Sequence, residues 1–179
     1  MTRNSGLSLM ACALIFVALT VPGHAADATI QANAAIQGEG RFYRATEDMI
    51  LFSGFFQGAI NVSNQKGDLM VNAASLTCPG NLEVNTTTKT TEGEGRCLFL
   101  TQDGTHVYGG WTCTGKPGAG CGGTFKVLGG TGRFSGASGQ GNFMMTSTLN
   151  ELTITIPEGG VTGNFTGKVE WPELKVTTK

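Results

Sequence analysis

The glycine-rich stretch VLGGTGRFSGASGQG, residues 127–141, limits what this chain can fold into more than any other segment. Its six glycines fit either a loop that cradles a phosphate group or a bend in a β-barrel. A Walker loop needs the pattern G-x-x-x-x-G-K-[ST], and no lysine follows these glycines in that register. A dinucleotide-binding loop needs a helix to begin at the glycines, and the continued spacing at Gly136, Gly139 and Gly141 opposes a helix. We therefore predict a barrel and no nucleotide site.

The rest of the chain has the composition and periodicity of an all-β protein. Thr, Val, Phe and Gly are abundant, and beyond the N-terminal apolar segment no long window carries apolar residues at i, i+3, i+4 and i+7. Lys66-Gly67, Pro79-Gly80 and Glu158-Gly159-Gly160 supply turns between several predicted strands. Eight to ten short strands with tight turns suit a meander or a barrel. In addition to a hairpin around Asp103-Gly104, strands are predicted at residues 36–44, 49–62, 68–78, 82–90, 121–128, 139–149, 151–156 and 161–170.

A glycine–aromatic pattern occurs three times, at Gly54–Gly58, Gly132–Gly136 and Gly163–Gly167. Positions i, i+2 and i+4 of a strand share one face, so the central Phe of each segment is flanked by glycines on its own side. Such a strand bends sharply while one aromatic ring fills the space above the glycines. We interpret the pattern as barrel curvature rather than as a ligand-stacking site.

The segment around Asp103-Gly104 predicts a β-hairpin, because a two-residue Asp-Gly loop suits a type I′ turn. In that register Cys97 and Cys113 project from opposite faces, which disfavours a bond between them. Outside the N-terminal segment the chain has four cysteines, an even number that indicates two disulfides in an exported protein. We prefer the pairing Cys78–Cys97 with Cys113–Cys121.

The N-terminus predicts export. The apolar run Leu7–Val21, followed by small residues up to Ala25, has the form of a cleaved signal peptide. The domains are therefore a signal peptide at residues 1–25, a loose N-terminal lead at 26–34 and a single barrel domain at 35–179. We expect a secreted or, in a bacterial host, a periplasmic protein that does not stay inserted in a membrane once the signal is removed.

Charge and composition argue against several kinds of partner. The chain has a formal net charge of −1 and no tract of like charge, so nucleic acid and anionic membrane surfaces are not expected partners. His106 is the one histidine outside the signal peptide, and the cysteines are assigned to disulfides. We predict no metal site and no cofactor.

Residues 129–140, GGTGRFSGASGQ, resemble the G-G-[ST]-G-x-F-x-G-x-x-G-Q segment of plant allene oxide cyclases and the G-G-T-G-x-F-x-x-A-x-G segment of plant dirigent proteins. The resemblance implies a calycin-like, eight-stranded antiparallel barrel with an apolar cavity, commonly assembled as a trimer. Ser135 stands where allene oxide cyclases carry Glu, and Ser135 and Ser138 stand where dirigent proteins usually carry Arg. The resemblance therefore extends to the fold and transfers no catalytic residue. The residues assigned to the structural loop are Gly129, Gly130, Thr131, Gly132, Phe134, Gly136 and Gly139.

Three arginines are the candidate ligand-binding residues. Arg41 and Arg44 lie near the first strand, where a barrel mouth uses charge to orient a polar ligand. Arg133 lies in the glycine-rich loop, beside backbone amides suited to an anion. His106 follows the predicted turn. Asp103 is the one carboxylate placed near His106, so we assign His106 no catalytic role. No catalytic residue is predicted.

The sequence leaves three functions open. The leading hypothesis is a non-catalytic barrel that binds a small apolar or amphipathic molecule or serves as an interaction module. The alternative is an isomerase or cyclase that acts by positioning its substrate in an apolar cavity, which requires at least one buried carboxylate or arginine. The third hypothesis is an envelope or surface protein that self-associates through an apolar hairpin face.

Overall fold

The computed structural model describes residues 26–155 and 160–178, which form a closed barrel of eight antiparallel strands. Each strand pairs with the next along the chain, and β8 closes the barrel against β1. The predicted all-β fold, a closed eight-stranded antiparallel barrel, is confirmed. The predicted signal peptide at residues 1–25 lies outside the described residues. The elements are β1 (Ala26–Arg44), β2 (Met49–Asn64), β3 (Leu69–Asn85), β4 (Thr90–Leu100), β5 (His106–Lys116), β6 (Gly120–Gly130), the 3₁₀ turn Gly132–Phe134, β7 (Ser138–Thr155) and β8 (Gly160–Thr178).

Within the described part of the chain, no helix has the length and apolar character needed to cross a membrane.

Several predicted strand boundaries are wrong. Residues 26–34, assigned to a loose lead, belong to β1 and pair with β8, so the barrel begins before residue 35. Pro79-Gly80, assigned to a turn, lies inside β3, where the pairing with β4 continues on both sides of the proline. Pro79 lacks an N–H, and it coincides with a break in that ladder. β7 runs unbroken through the point where two strands were predicted, with an irregularity near Leu149.

Glycines on the inner face make room for aromatic rings. A Cβ atom added at Gly40 would lie 2.4 Å from the Phe52 ring, and one added at Gly95 would lie 2.6 Å from the Trp111 ring. In two of the three predicted glycine–aromatic segments the central Phe, Phe56 or Phe165, faces inward from its strand. One flanking glycine of each segment lies against a different ring, Gly54 against Phe52 and Gly163 against Phe42. The third segment differs because Gly132–Phe134 forms a 3₁₀ turn instead of a strand.

The predicted register of the β4–β5 hairpin is wrong by one residue. Leu98 pairs with Tyr108, and the backbone N–H of Thr101 bonds to the carbonyl of Thr105, which leaves a three-residue loop. Gly104 ends this loop with φ 78°, the left-handed conformation that a type I turn with a bulge requires. The shift brings Cys97 and Cys113 to the same, inner face of the barrel, where both are buried.

Two disulfides join neighbouring strands inside the barrel, Cys78–Cys97 between β3 and β4 and Cys113–Cys121 between β5 and β6. This is the pairing that the sequence favoured, although the argument from opposite faces does not hold. Both bonds cross-link strands that are already adjacent in the ladder. They stabilise the barrel chiefly by restricting the unfolded chain.

Candidate binding cavity

The barrel interior contains an apolar cavity at one end. This end, here called the loop end, carries residues 131–137 between β6 and β7, together with the start of β1 and the end of β8. The cavity has a volume of about 110 Å³. An engineered cavity of about 150 Å³ binds benzene, so the space suits a compact molecule of roughly that size. Its walls come from strands all around the barrel, including Ile30, Val62, Val71, Val107, Val127 and Val176.

The centre of the barrel is nearly filled. A second space of about 30 Å³ lies there, lined by Trp111, Phe143 and other apolar side chains. Phe125 and Trp171 border both this space and the end cavity, and their rings meet edge to face with centroids 5.9 Å apart. Phe99 packs on both rings. The three rings therefore form the floor of the end cavity and limit how deep a ligand can reach.

The glycine-rich loop forms part of the cavity wall. Phe134 on the 3₁₀ turn and Ala137 just after it line the cavity, and Ala137 is buried. Gly132 has φ 56°, and a Cβ atom there would lie 2.4 Å from Thr105 Cγ2, so only glycine fits the start of the turn. The loop thus works as a wall of an apolar cavity, and no helix that could hold a phosphate begins from it.

A polar network surrounds the rim at the β4–β5 hairpin. The hydroxyls of Thr101 and Thr105 and the backbone N–H of Thr105 all bond to the Asp103 carboxylate. Arg133 Nε lies 3.6 Å from Asp103 Oδ2, and its guanidinium stacks on the Phe134 ring at 4.9 Å. The bonds from Thr101 and Thr105, with a smaller contribution from Arg133, hold the pKa of Asp103 well below its usual range. Thr101 also lines the cavity, but its hydroxyl is engaged in this network.

His106 lies beside the rim on β5. Its Nδ1 is 3.1 Å from the Thr131 hydroxyl, which also accepts a bond from the His106 backbone N–H. The Thr131 backbone N–H in turn donates to the His106 carbonyl. These contacts anchor the first residue of the loop to β5 and are structural in character.

The three candidate arginines do not form one site. Arg133 lies at the rim of the cavity and is half-exposed. Arg41 and Arg44 lie on β1 near its C-terminal end, while Ile30, near the other end of the strand, lines the cavity. At about 3.3 Å per residue, Arg41 is about 35 Å along the strand from Ile30. A ligand in the end cavity cannot contact Arg41 or Arg44.

No charged side chain faces the interior in residues 26–155 and 160–178. The buried polar residues of this part are Thr91 and Thr101, and every described Asp, Glu, Lys and Arg is exposed. The cyclase alternative required a buried carboxylate or arginine, so we do not carry it forward. The same residues contain no group of three His, Cys, Asp or Glu side chains close enough to share a metal ion. The absence of metal and cofactor remains a prediction.

A larger depression on the outer face of the barrel does not suit an apolar ligand. It measures about 720 Å³ and is bordered by the exposed carboxylates of Glu83, Glu92 and Glu94. Glu83 and Glu92 lie directly opposite each other on β3 and β4, an arrangement of like charges that is unfavourable.

The residue that sequence reasoning missed is Trp171. Its side chain is buried, and its indole Nε1 has no hydrogen-bond partner among the described residues. Elsewhere in the barrel, Thr91 Oγ1 is also buried without a hydrogen-bond partner in the described part of the chain. Buried Trp N–H groups usually have a partner. An aromatic residue in an alternating strand is visible in the sequence, but the missing partner is a property of its neighbours on other strands.

Comparison with known proteins adds little to this description. No family model matches the chain, and no curated protein matches it. Among solved structures, a pterocarpan synthase dirigent protein matches over 94% of this chain and 99% of that one, with 10% sequence identity and a TM-score of 0.33. The closed barrel rests on the strand pairing of this chain.

Proposed function

We propose that this protein is an exported, disulfide-bonded barrel that binds a small apolar or amphipathic molecule in the cavity under the glycine-rich loop. The observation that carries the proposal is the apolar space of about 110 Å³ at the loop end of a barrel whose centre is nearly filled. Binding sites for small molecules are typically concave and mostly apolar. The two disulfides support export, because such bonds persist in oxidising compartments.

Filling the cavity tests the proposal. Ala74 is buried and lines the cavity, so Ala74→Leu takes up the space that a ligand needs. Ala35→Leu, on the outer face of β1, adds the same atoms away from the end cavity and serves as the matched control. The probe is methylenecyclohexane, and its dissociation constant is measured by NMR titration of the mature protein. We expect Ala74→Leu to weaken binding at least about tenfold, because the added atoms compete with the ligand for one space.

The control and the unmodified protein should bind this probe equally. The proposal is wrong if the unmodified protein does not bind the probe or if Ala74→Leu binds it as well as the control. Separately, native mass spectrometry of the protein purified from its host would identify a retained natural ligand and the assembly state together.

Self-association is a second candidate function, favoured by an apolar patch on the outer face at the loop end. Leu98 and Tyr108 are cross-strand neighbours there, and Leu100 and Leu128 extend the patch, each more than 40% exposed. An exposed apolar cluster of this kind is typical of an interaction surface. Analytical ultracentrifugation of the mature protein should show an oligomer that Leu98→Glu converts to monomer. A strictly monomeric protein would contradict this candidate.

A further inference from the structure

The described residues present no polar atom to the end cavity. Among those that line it, Thr101 alone carries a hydroxyl, and this hydroxyl is bonded to Asp103 and Thr105. Trp171 has an indole N–H, but Nε1 is itself buried and contributes no surface to the cavity. The backbone groups of the closed sheet bond between neighbouring strands, within the sheet, and do not point into the interior. A molecule in this cavity therefore meets neither a hydrogen-bond donor nor an acceptor.

The wall of the cavity is stiff. Two isoleucines and five valines line it, and their branched Cβ atoms restrict rotation about χ1. Ile60 and Val127 are also buried against their neighbours. The floor is equally constrained, because the rings of Phe125 and Trp171 pack edge to face. The cavity is therefore preformed, and its volume of about 110 Å³ sets the size of the occupant.

The polar network at the β4–β5 rim is satisfied within itself. The Asp103 carboxylate accepts bonds from the hydroxyls of Thr101 and Thr105. Arg133 Nε lies 3.6 Å from the same carboxylate, and the guanidinium stacks on the Phe134 ring. The charges of Asp103 and Arg133 thus balance each other. An ionic headgroup at this rim would have to displace an existing partner.

We propose that the ligand of the end cavity is a small neutral hydrocarbon of about six or seven carbon atoms, without a polar functional group. This inference rests on the proposed function and narrows its ligand class. A carbonyl, hydroxyl or carboxylate placed in the cavity would lose its bonds to water and gain none. Water itself faces the same loss, because a buried water typically makes two to four hydrogen bonds. A hydrocarbon gives up no hydrogen bond on entry.

The test compares methylenecyclohexane with cyclohexanone, two molecules of nearly the same shape that differ in one acceptor oxygen. NMR titration of the mature protein gives both dissociation constants from methyl signals of the cavity wall, such as those of Ile30 and Val176. We expect methylenecyclohexane to bind at least about tenfold more tightly, because the carbonyl finds no donor. A smaller preference would overturn the inference and would show that a donor reaches the cavity.

A third probe, cyclohexanecarboxylate, tests the rim. Its ring matches the other two probes, and its carboxylate would lie in the cavity or beside Arg133. We expect it to bind more weakly than methylenecyclohexane, because Asp103 already balances the charge of Arg133. Binding as tight as that of methylenecyclohexane, or tighter, would show that the ligand is amphipathic and would contradict the inference.

A hydroxyl placed in the wall gives an independent measurement. Val127→Thr exchanges a methyl group of the cavity wall for a donor, so the preference for methylenecyclohexane over cyclohexanone should fall at least about threefold. Val169→Thr makes the same exchange beside the central space and should leave the preference unchanged. Methyl spectra show whether each variant keeps the barrel. An intact Val127→Thr variant with an unchanged preference would contradict the view that a missing donor sets the preference, and the comparison on the unmodified protein needs no variant.

The outcomes separate this inference from the proposed function. If methylenecyclohexane binds but is not preferred over cyclohexanone, or if the carboxylate binds as tightly, the hydrocarbon inference is wrong and the cavity remains a binding site. If none of the three probes binds the unmodified protein, the proposed function is wrong as well.

Discussion

The two ends of the barrel interior are built from different residues. At the end that carries the β1–β2 connection, inward glycines lie beneath aromatic rings, with Phe52 against Gly40 and Gly54. At the loop end the inward positions are aliphatic side chains and small residues, such as Val71 and Ala74, which leave the cavity between them. A glycine opposite a ring gives complementary volumes, whereas medium-sized side chains facing one another across a cylinder do not meet. The position of the cavity therefore follows from where the glycine–aromatic pairs stop.

The largest expected effect comes from removing a ring at the filled end. Phe52 is 1% exposed and packs on two glycines, so Phe52→Ala should cost about 3–5 kcal/mol of unfolding free energy. Val71→Ala at the loop end should cost only about 1 kcal/mol, because its side chain is half-buried and already borders empty space. Urea denaturation measures both. Equal costs would show that the two ends are packed alike.

A methyl group added beneath a ring should be the next largest perturbation. A Cβ atom at Gly95 would lie 2.4 Å from the Pro79 carbonyl oxygen and 2.6 Å from the Trp111 ring, so Gly95→Ala should destabilise the barrel by about 2–3 kcal/mol. Gly122→Ala is the control, since its Cβ would meet the flexible end of Met144 at 3.1 Å, and it should stay within about 0.5 kcal/mol. A stable Gly95→Ala variant would contradict the proposed role of these glycines.

Two alanines on one strand sharpen the same contrast. Ala32 lines the end cavity and Ala34, the next inward residue of β1, is buried away from both internal spaces. Ala32→Val should raise the free energy of unfolding by up to about 1 kcal/mol, and with it the melting temperature, because the added atoms fill the void. Ala34→Val should lower stability by about 1–3 kcal/mol, because there is no space for it. Thermal unfolding of the pair tests whether the void lies where the structure places it.

The smallest effect is expected at the rim of the cavity. The pKa of Asp103 is lowered from its ordinary value of 3.8 by hydrogen bonds from Thr101 and Thr105. The pKa of Asp103 is lower in the folded than in the unfolded protein, so these hydrogen bonds stabilise the fold above about pH 4. That stabilisation is lost as the pH falls through the folded pKa. The difference in urea midpoint between the unmodified protein and Asp103→Asn should therefore be largest near pH 7 and shrink in strong acid. Gln102→Ala in the same loop should show no such pH dependence.

The hairpin and β3 show where local sequence stops being informative. Asp103-Gly104 marks a turn correctly, but a glycine with positive φ suits both a two-residue and a three-residue loop, and the strand partners decided between them. Pro79-Gly80 has the chemistry of a turn, yet pairing with β2 and β4 carries the strand through it. In both places contacts between distant residues outweighed the local signal.

The candidate site shows the same division. The sequence assigned Gly129, Gly130 and Gly139 to a structural loop, but Gly129 and Gly130 end β6 and Gly139 lies in β7. The loop itself, residues 131–137, contributes Phe134 and Ala137 to the cavity wall, and Arg133 lies beside them. The sequence also marked Arg41 and Arg44 as candidates, but they lie toward the other end of β1. Spacing along a chain does not show which end of a barrel a residue reaches. Nothing local marks Phe125 and Trp171 as the floor.

By itself, the sequence determined that this protein is an all-β barrel, because glycine spacing and alternating apolar residues act within a few positions of each other. Only the tertiary structure decided where the barrel is hollow and that the N–H of Trp171 lacks a partner. Both depend on which inward side chains from eight different strands meet across the interior. The register and closure of the whole sheet determine those side-chain contacts, and no short segment encodes them.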